Sequence, residues 1–362
     1  MSLLNAATHA APAAPLAAGD ERPRVVAAWL FSCCGLILLM VMVGGITRLT
    51  LSGLSITEWN PVIGVIPPLS HAQWLAEFAR YKTIPQYHLL NAGMTLAQFK
   101  GIYFWEYIHR LLGRLIGIAF AVPLIWFWLR GRLPRRLGPV LAGILALGFA
   151  QGALGWYMVE SGLVHRVEVS QYRLVAHLAL ALLIYSAILW VGLGLTRGPA
   201  REDAGAAWRR AGDGVLILVA VTIAAGGFTA GTRAGFVYNT FPLMGGRLIP
   251  EDYARLHPFI RNLFSNVAAV QFDHRALAIA TATAIVLLCA VGWRSRLPRP
   301  ARIALLALLA AVVLQVGLGI ATLLLVVPIP LAVAHQGNAV LLLSAALVLR
   351  HTMRRGRAAS AM

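Results

Sequence analysis

Charged side chains are scarce in this chain: they make up 12% of its 362 residues. Cysteine is scarcer still, with Cys33, Cys34 and Cys289 alone and none of them at metal-ligand spacing. Adjacent cysteines rarely bridge each other, so no structural disulfide is expected, and all three read as small buried residues. Short segments of alternating hydrophobicity are missing, which excludes a transmembrane β-barrel. No charged region precedes a short apolar stretch near the N-terminus, so no cleavable signal peptide is expected. A mitochondrial transit peptide would carry more arginine earlier and fewer acids than residues 1–24 do.

What is abundant is apolar sequence. Hydrophobic residues make up 59% of the chain, and the mean hydropathy is +0.74. Several apolar runs exceed the roughly 18–20 residues needed to cross a hydrocarbon core of about 30 Å. An all-α, polytopic membrane protein follows, with eight spans expected at about 26–46, 107–129, 137–157, 173–195, 212–231, 270–292, 302–326 and 331–350. The formal net charge of +18 does not indicate nucleic-acid binding, because its arginines sit in short loops between apolar segments. Of 31 basic residues, 18 fall in the 130–136, 196–211 and 293–302 loops and the two tails. That is the positive-inside pattern, and it places both termini in the cytoplasm, as in a multi-pass protein of a bacterial inner membrane. The long connections at about 47–106 and 232–269 then lie outside. Their amphipathic stretches, His71–Phe78 and Tyr253–Phe259, suit caps at the outer lipid interface.

The chain repeats itself. Gly44-Gly45-Ile46-Thr47 matches Gly226-Gly227-Phe228-Thr229, and Gln151-Gly152-Ala153-Leu154-Gly155 matches Gln315-Val316-Gly317-Leu318-Gly319. Trp59-Asn60-Pro61 with Ile66-Pro67 parallels Tyr238-Asn239 with Pro242 and Ile249-Pro250. His109 and His274 stand 165 residues apart, and His177 and His335 stand 158 apart. Two four-helix bundles are expected, related by a pseudo-two-fold axis along the membrane normal. The expected segments are a disordered tail at 1–24, a first half at 25–197, a linker at 198–211, a second half at 212–350 and a basic tail at 351–362. Each half presents two histidines within about one to two turns of an outer helix end. Two imidazoles inside a membrane bundle are what an iron porphyrin needs for axial ligation. A zinc site would need further ligands that no Cys or His cluster supplies.

Around these histidines the halves differ at one position. Glu106 stands three residues before His109, on the same helix face, and its counterpart before His274 is Gln271. A carboxylate at the edge of hydrocarbon is a functional hypothesis by default. The competing reading is an interfacial ion pair with Arg110 or a loop arginine. Arg110, Arg114 and Arg275, and with them Arg48 and Arg233, are candidate partners for porphyrin propionates or simply snorkelling side chains. The paired glycines either permit close helix approach or clear space for a flat ligand. Gln151 and Gln315 are expected to be satisfied by a neighbouring helix. His9, His71, His88, His165, His257 and His351 fall in loops or tails.

These motifs resemble the heme A synthase family. They are Gly44-Gly45-Ile46-Thr47-Arg48-Leu49-Thr50-x-Ser52-Gly53-Leu54-Ser55, Glu106-x-x-His109-Arg110 with Gly113-Arg114, and then His177, His274 and His335. The similarity runs over nearly the whole chain and is strongest to the proteobacterial and mitochondrial branch, since the first outer loop has no cysteine pair. It implies oxidation of a ring methyl of heme O to a formyl group, giving heme A for terminal oxidase assembly. It also implies heme b held by His274 and His335, substrate heme at His109 and His177, and Glu106 as the functional carboxylate. Bis-histidine ligation leaves iron no open position, so one of the substrate-site histidines has to dissociate in turnover. The partners implied are heme O synthase, oxidase assembly factors, an electron-transfer protein and membrane lipid; a homo-oligomer stays open. Two other functions compete: a diheme b-type electron carrier, and a heme transporter or chaperone.

Overall fold

The computed structural model describes residues 22–59, 63–163, 167–196 and 204–354. Most of both expected tails, most of the linker, and Asn60, Pro61 and His165 lie outside the described residues. Eight long helices carry the fold: α1 (Arg22–Leu49), α4 (Leu96–Leu129), α5 (Leu137–Leu163), α6 (Gln171–Thr196), α7 (Ala206–Gly231), α9 (Val267–Arg294), α10 (Arg299–Leu324) and α11 (Ile329–Thr352). All eight are long and apolar enough to cross a membrane. Three short helices, α2 (His71–Tyr81), α3 (Pro85–Leu90) and α8 (Asn262–Ser265), lie in the two long connections.

The helix ends have local causes. Proline stands at the first turn of α3, α10 and α11, where its missing N–H would have no partner anyway. Asn266 caps α9 by accepting from the backbone of Ala268 and Ala269. α4 starts at Leu96, eleven residues before the expected span, because Thr95 and Gln98 form a reciprocal capping box. Gln98 and Lys100 interrupt the apolar run that marks the span, so hydropathy locates the membrane segment and misses the helix. At 34 residues and 1.5 Å per residue, α4 is about 51 Å long, so its first turns project well beyond a hydrocarbon core. α7 likewise starts at Ala206 and absorbs the expected linker from there on. Of the two expected amphipathic caps, the first is the helix α2. The second is a pair of 3-10 turns, Glu251–Ala254 and Phe259–Arg261.

The packing falls into two sets of four. α1 packs on α4, α4 on α5, α5 on α6 and α6 on α1. α7 packs on α9, α9 on α10, α10 on α11 and α11 on α7. The sets meet through α1 against α11, α6 against α7, and α6 against α11. Second glycines of the repeated Gly-Gly pairs lie at these crossings. A Cβ on Gly45 would fall 2.6 Å from Gln336 Oε1 on α11, and one on Gly227 would fall 3.0 Å from Val175 Cγ2 on α6. Gln336 also donates to the Val41 carbonyl of α1 at 2.9 Å.

The main apolar core lies at the ends of the helices away from the long connections. It includes Leu30, Cys33, Phe127, Ile188, Val219, Ile285, Leu308 and Leu349. Leu115, Ile118, Val122 and Ile125 on α4 point outward in a helical stripe, as a lipid-facing surface would. A second cluster, Leu54, Phe78, Tyr81, Ile84, Phe99 and Tyr103, fastens α2 and α3 to the projecting part of α4. Gln86, fully buried in this cap, donates to the Leu51 and Val167 carbonyls, both at 3.1 Å. Cys33 and Cys34 are buried and all three cysteines are free.

Candidate functional site

Four histidines stand between the packed core and the caps, one on each of α4, α6, α9 and α11. The ring order of each set puts the two bearers diagonally across: α4 faces α6, and α9 faces α11. Diagonal placement leaves the middle of each set between two imidazoles. Three of the four are about two turns into their helices; His109 is nearly four turns in, because α4 begins early.

Each imidazole rests against a glycine of a neighbouring helix. A Cβ on Gly44 would fall 3.1 Å from His109 Cε1, and one on Gly155 would fall 3.0 Å from His177 Cε1. In the second set, a Cβ on Gly226 would fall 2.9 Å from His274 Cε1, and one on Gly319 would fall 2.9 Å from His335 Cε1. Gly152 and Gly317 have open space where a Cβ would go. The glycines at 44, 155, 226 and 319 therefore make room for the histidines themselves. The Nδ1 atoms of His109, His177 and His274 are buried with no hydrogen-bond partner in the protein. A buried polar atom in that state costs about 1–3 kcal/mol unless something binds it.

His335 and His177 are held differently. The Gln315 amide lies 3.3 Å from the His335 ring nitrogens, and Asn338 fixes that amide by donating to Gln315 Oε1 at 2.8 Å. In the first pair, Gln151 Nε2 lies 3.2 Å from His177 Nε2, but Gln151 Oε1 is buried and unpartnered. Leu180 occupies the position that matches Asn338. The expectation that both glutamines are satisfied by neighbouring helices thus holds for Gln315 and fails for Gln151 Oε1.

Glu106 is buried, at 2% exposure. One carboxylate oxygen accepts from Ser55 Oγ at 2.7 Å and from the Ile56 N–H at 2.8 Å. The other accepts from Arg110 Nε at 3.0 Å and Nη2 at 2.6 Å. Arg110 also donates to the Ile56 and Glu58 carbonyls. The expected competing role, a weak exposed pair, is therefore corrected: this is a buried two-pronged pair that ties a loop down over His109. The second set uses the same device with the polarity reversed. Gln271 donates to the Ala234 carbonyl at 2.8 Å and accepts from Arg275, which donates to the Tyr238 and Thr240 carbonyls.

The remaining candidate arginines separate. Arg48 pairs with Glu168 at 2.7 Å within the first set, and Arg233 reaches the same carboxylate from the second set at 2.9 Å. Arg114 follows Arg110 by one turn on α4. His71, His88 and His257 are exposed, as expected for loop residues. His351 is not in a tail: it is buried in the last turn of α11, edge-on to Trp190 at 5.0 Å between ring centres. Sequence reasoning passed over Ser55, Glu168, Gln336 and Asn338. Asn338 had a signal, lying three residues after His335 on the same helix face. Glu168 had none, since its partners come from two distant segments. Among the described residues, no group of three or more His, Cys, Asp or Glu could hold a metal ion unaided.

A family model described as cytochrome oxidase assembly protein matches residues 27–347. Proteins named heme A synthase from Rhodospirillum centenum and Nitrosospira multiformis are 54% and 48% identical to the chain. These matches cover 90% and 91% of this chain, and 88% and 94% of the relatives. A Bos taurus protein named heme A synthase COX15 is 46% identical, over 92% of this chain and 83% of its own length.

Proposed function

The chain belongs to the cytochrome oxidase assembly protein family, and on that premise we propose how its two histidine pairs divide the conversion of heme O into heme A. The activity is an oxidation of a ring methyl of heme O to a formyl group, carried out by a multi-pass membrane protein. In our reading, the two sets of helices are two copies of one four-helix module, 25–197 and 212–350, each with one porphyrin site. The observation that carries it is the fourfold pairing of an imidazole with a glycine seat, in two diagonal pairs. Buried ring nitrogens with no protein partner fit iron as the missing partner.

His274 and His335 are assigned to a resident heme b. An iron-ligating imidazole gives one nitrogen to the metal and is oriented through the other by a carbonyl or amide. The Gln315 amide and Asn338 suit that role for His335 in the second set. Heme b would supply a one-electron redox centre beside the substrate. His109 and His177 are assigned to heme O. Their site has the looser supports, which suits a group that must enter, react and leave. Glu106, one turn from His109, holds the Ser55–Glu58 loop over this site, excludes water there, and sets a carboxylate at the reacting end. Arg48 and Arg275 each keep a buried Nε without a hydrogen-bond partner and are the candidate propionate partners with a donor to spare. Arg110 is saturated by Glu106 and loop carbonyls.

Heme O synthase, oxidase assembly factors and an electron-transfer protein are the partners proposed, in a bacterial inner membrane. The test is pigment extraction with mass analysis from membranes made with and without a heme O source. His274→Ala or His335→Ala should remove the tightly held heme b, while His109→Ala or His177→Ala should leave most of it. Loss of heme b from the His109 variant alone would show that the two sites are assigned the wrong way round.

A further inference from the structure

We propose that Gly44, Gly155, Gly226 and Gly319 are positioning residues that set the orientation of the four iron-ligating imidazoles; this rests on the ligand assignment above. The geometry has two parts. Each glycine removes the one atom that would occupy the imidazole's place, since an added Cβ would lie 2.9 to 3.1 Å from a histidine Cε1 in all four cases. In the second set the ring of His335 is also held by the Gln315 amide, 3.3 Å from both ring nitrogens and fixed in turn by Asn338. The edge of each imidazole thus rests against a bare stretch of helix backbone, which limits the tilt of the ring and with it the direction in which a ring nitrogen meets iron.

The repeat supplies an internal comparison. Gly152 and Gly317 belong to the same motifs as Gly155 and Gly319, on the same helices, yet nothing lies within 4 Å of a Cβ added to either. Packing and seating both leave Gly152 and Gly317 insensitive, because their Cβ positions are open; they differ in what the other four lose. Packing would cost the fold, whereas seating costs the ring geometry at iron. An alanine at any of the four falls 2.9 to 3.1 Å from an imidazole Cε1, so that ring has to turn or shift.

The experiment uses the full chain in membranes and purified with its native pigment. Gly226→Ala and Gly319→Ala should retain the protein at normal level. Their heme b should lose its low-spin, six-coordinate signature, read by optical and electron paramagnetic resonance spectra, and its midpoint potential should shift. Gly44→Ala and Gly155→Ala should leave the heme b spectrum unchanged and lower heme O occupancy, read by extraction. Gly152→Ala and Gly317→Ala should match the parent in both readouts. Loss of the protein itself from the membrane in the four close-contact variants, with any retained protein carrying the parental heme b spectrum and heme O occupancy, would mark the glycines as packing positions and overturn the proposal. His274→Ala run in parallel separates the two readings. Heme b lost from His274→Ala but unchanged in Gly226→Ala overturns the seat alone; heme b unchanged in both overturns the ligand assignment beneath it.

Discussion

Glu106 is a buried, fully partnered carboxylate that stands one turn from His109 on α4. Its four donors come from Ser55, Ile56 and both sides of the Arg110 fork. Breaking a buried pair by removing one charge costs about 3–5 kcal/mol, because the other charge stays buried alone. Glu106→Gln should therefore loosen the Ser55–Glu58 loop as well as removing the carboxylate. Heme b, which the proposed division places in the other set, should stay. We expect Glu106→Gln to bind heme O and make little or no heme A, measured by pigment extraction. Ser55→Ala removes one donor and leaves both the carboxylate and its arginine, so it should keep most of the turnover. If the two variants lose heme A output equally, Glu106 works only through the loop.

At the scale of elements, the periodic and apolar parts of the chain were the most legible. All eight spans stand where hydropathy puts them, because a stretch that must satisfy its backbone inside hydrocarbon has few alternatives to a helix. Their ends were less legible. Hydropathy reports the membrane and not the helix, so α4 and α7 both begin earlier than their apolar runs. The Thr95–Gln98 capping box was the readable sign for α4. The histidines and the Gly-Gly pairs were visible as a repeat, but the seating of one on the other was not. Gly44 and His109 are 65 residues apart in sequence, and only the crossing of α1 and α4 brings them together. A similar crossing gives a stability prediction. A Cβ on Gly231, the last residue of α7, would fall 2.8 Å from the Gln171 Cα at the start of α6. Backbone cannot rotate away, so Gly231→Ala should cost about 1–3 kcal/mol, read as a lower melting temperature in detergent. Gly148→Ala on α5, where nothing lies within 4 Å, should melt like the parent; equal losses would mean that helix spacing is not what Gly231 protects.

For the whole molecule, the arginine-rich loops predict which way it sits. Reporter fusions near residues 75 and 245 should read as periplasmic, with both termini cytoplasmic. A cytoplasmic signal from either would break the shared depth of the four histidines. The two Gly-Gly pairs bear on how such a molecule can diverge. Their first glycines touch imidazoles of their own set, and their second glycines touch the other set beside one of its histidines: Gly45 against Gln336, next to His335, and Gly227 against Val175, two residues from His177. A duplicated module is ordinarily free to drift from its twin. Here a bulkier residue at 45 would push on the helix that carries His335, and one at 227 on the helix that carries His177. Helix spacing in one copy is thereby imposed on the other, and the twins can become different only where they do not touch. That leaves the caps and single side chains such as Glu106 and Gln271 as the ground on which one site could become a workplace while the other stayed a fixture.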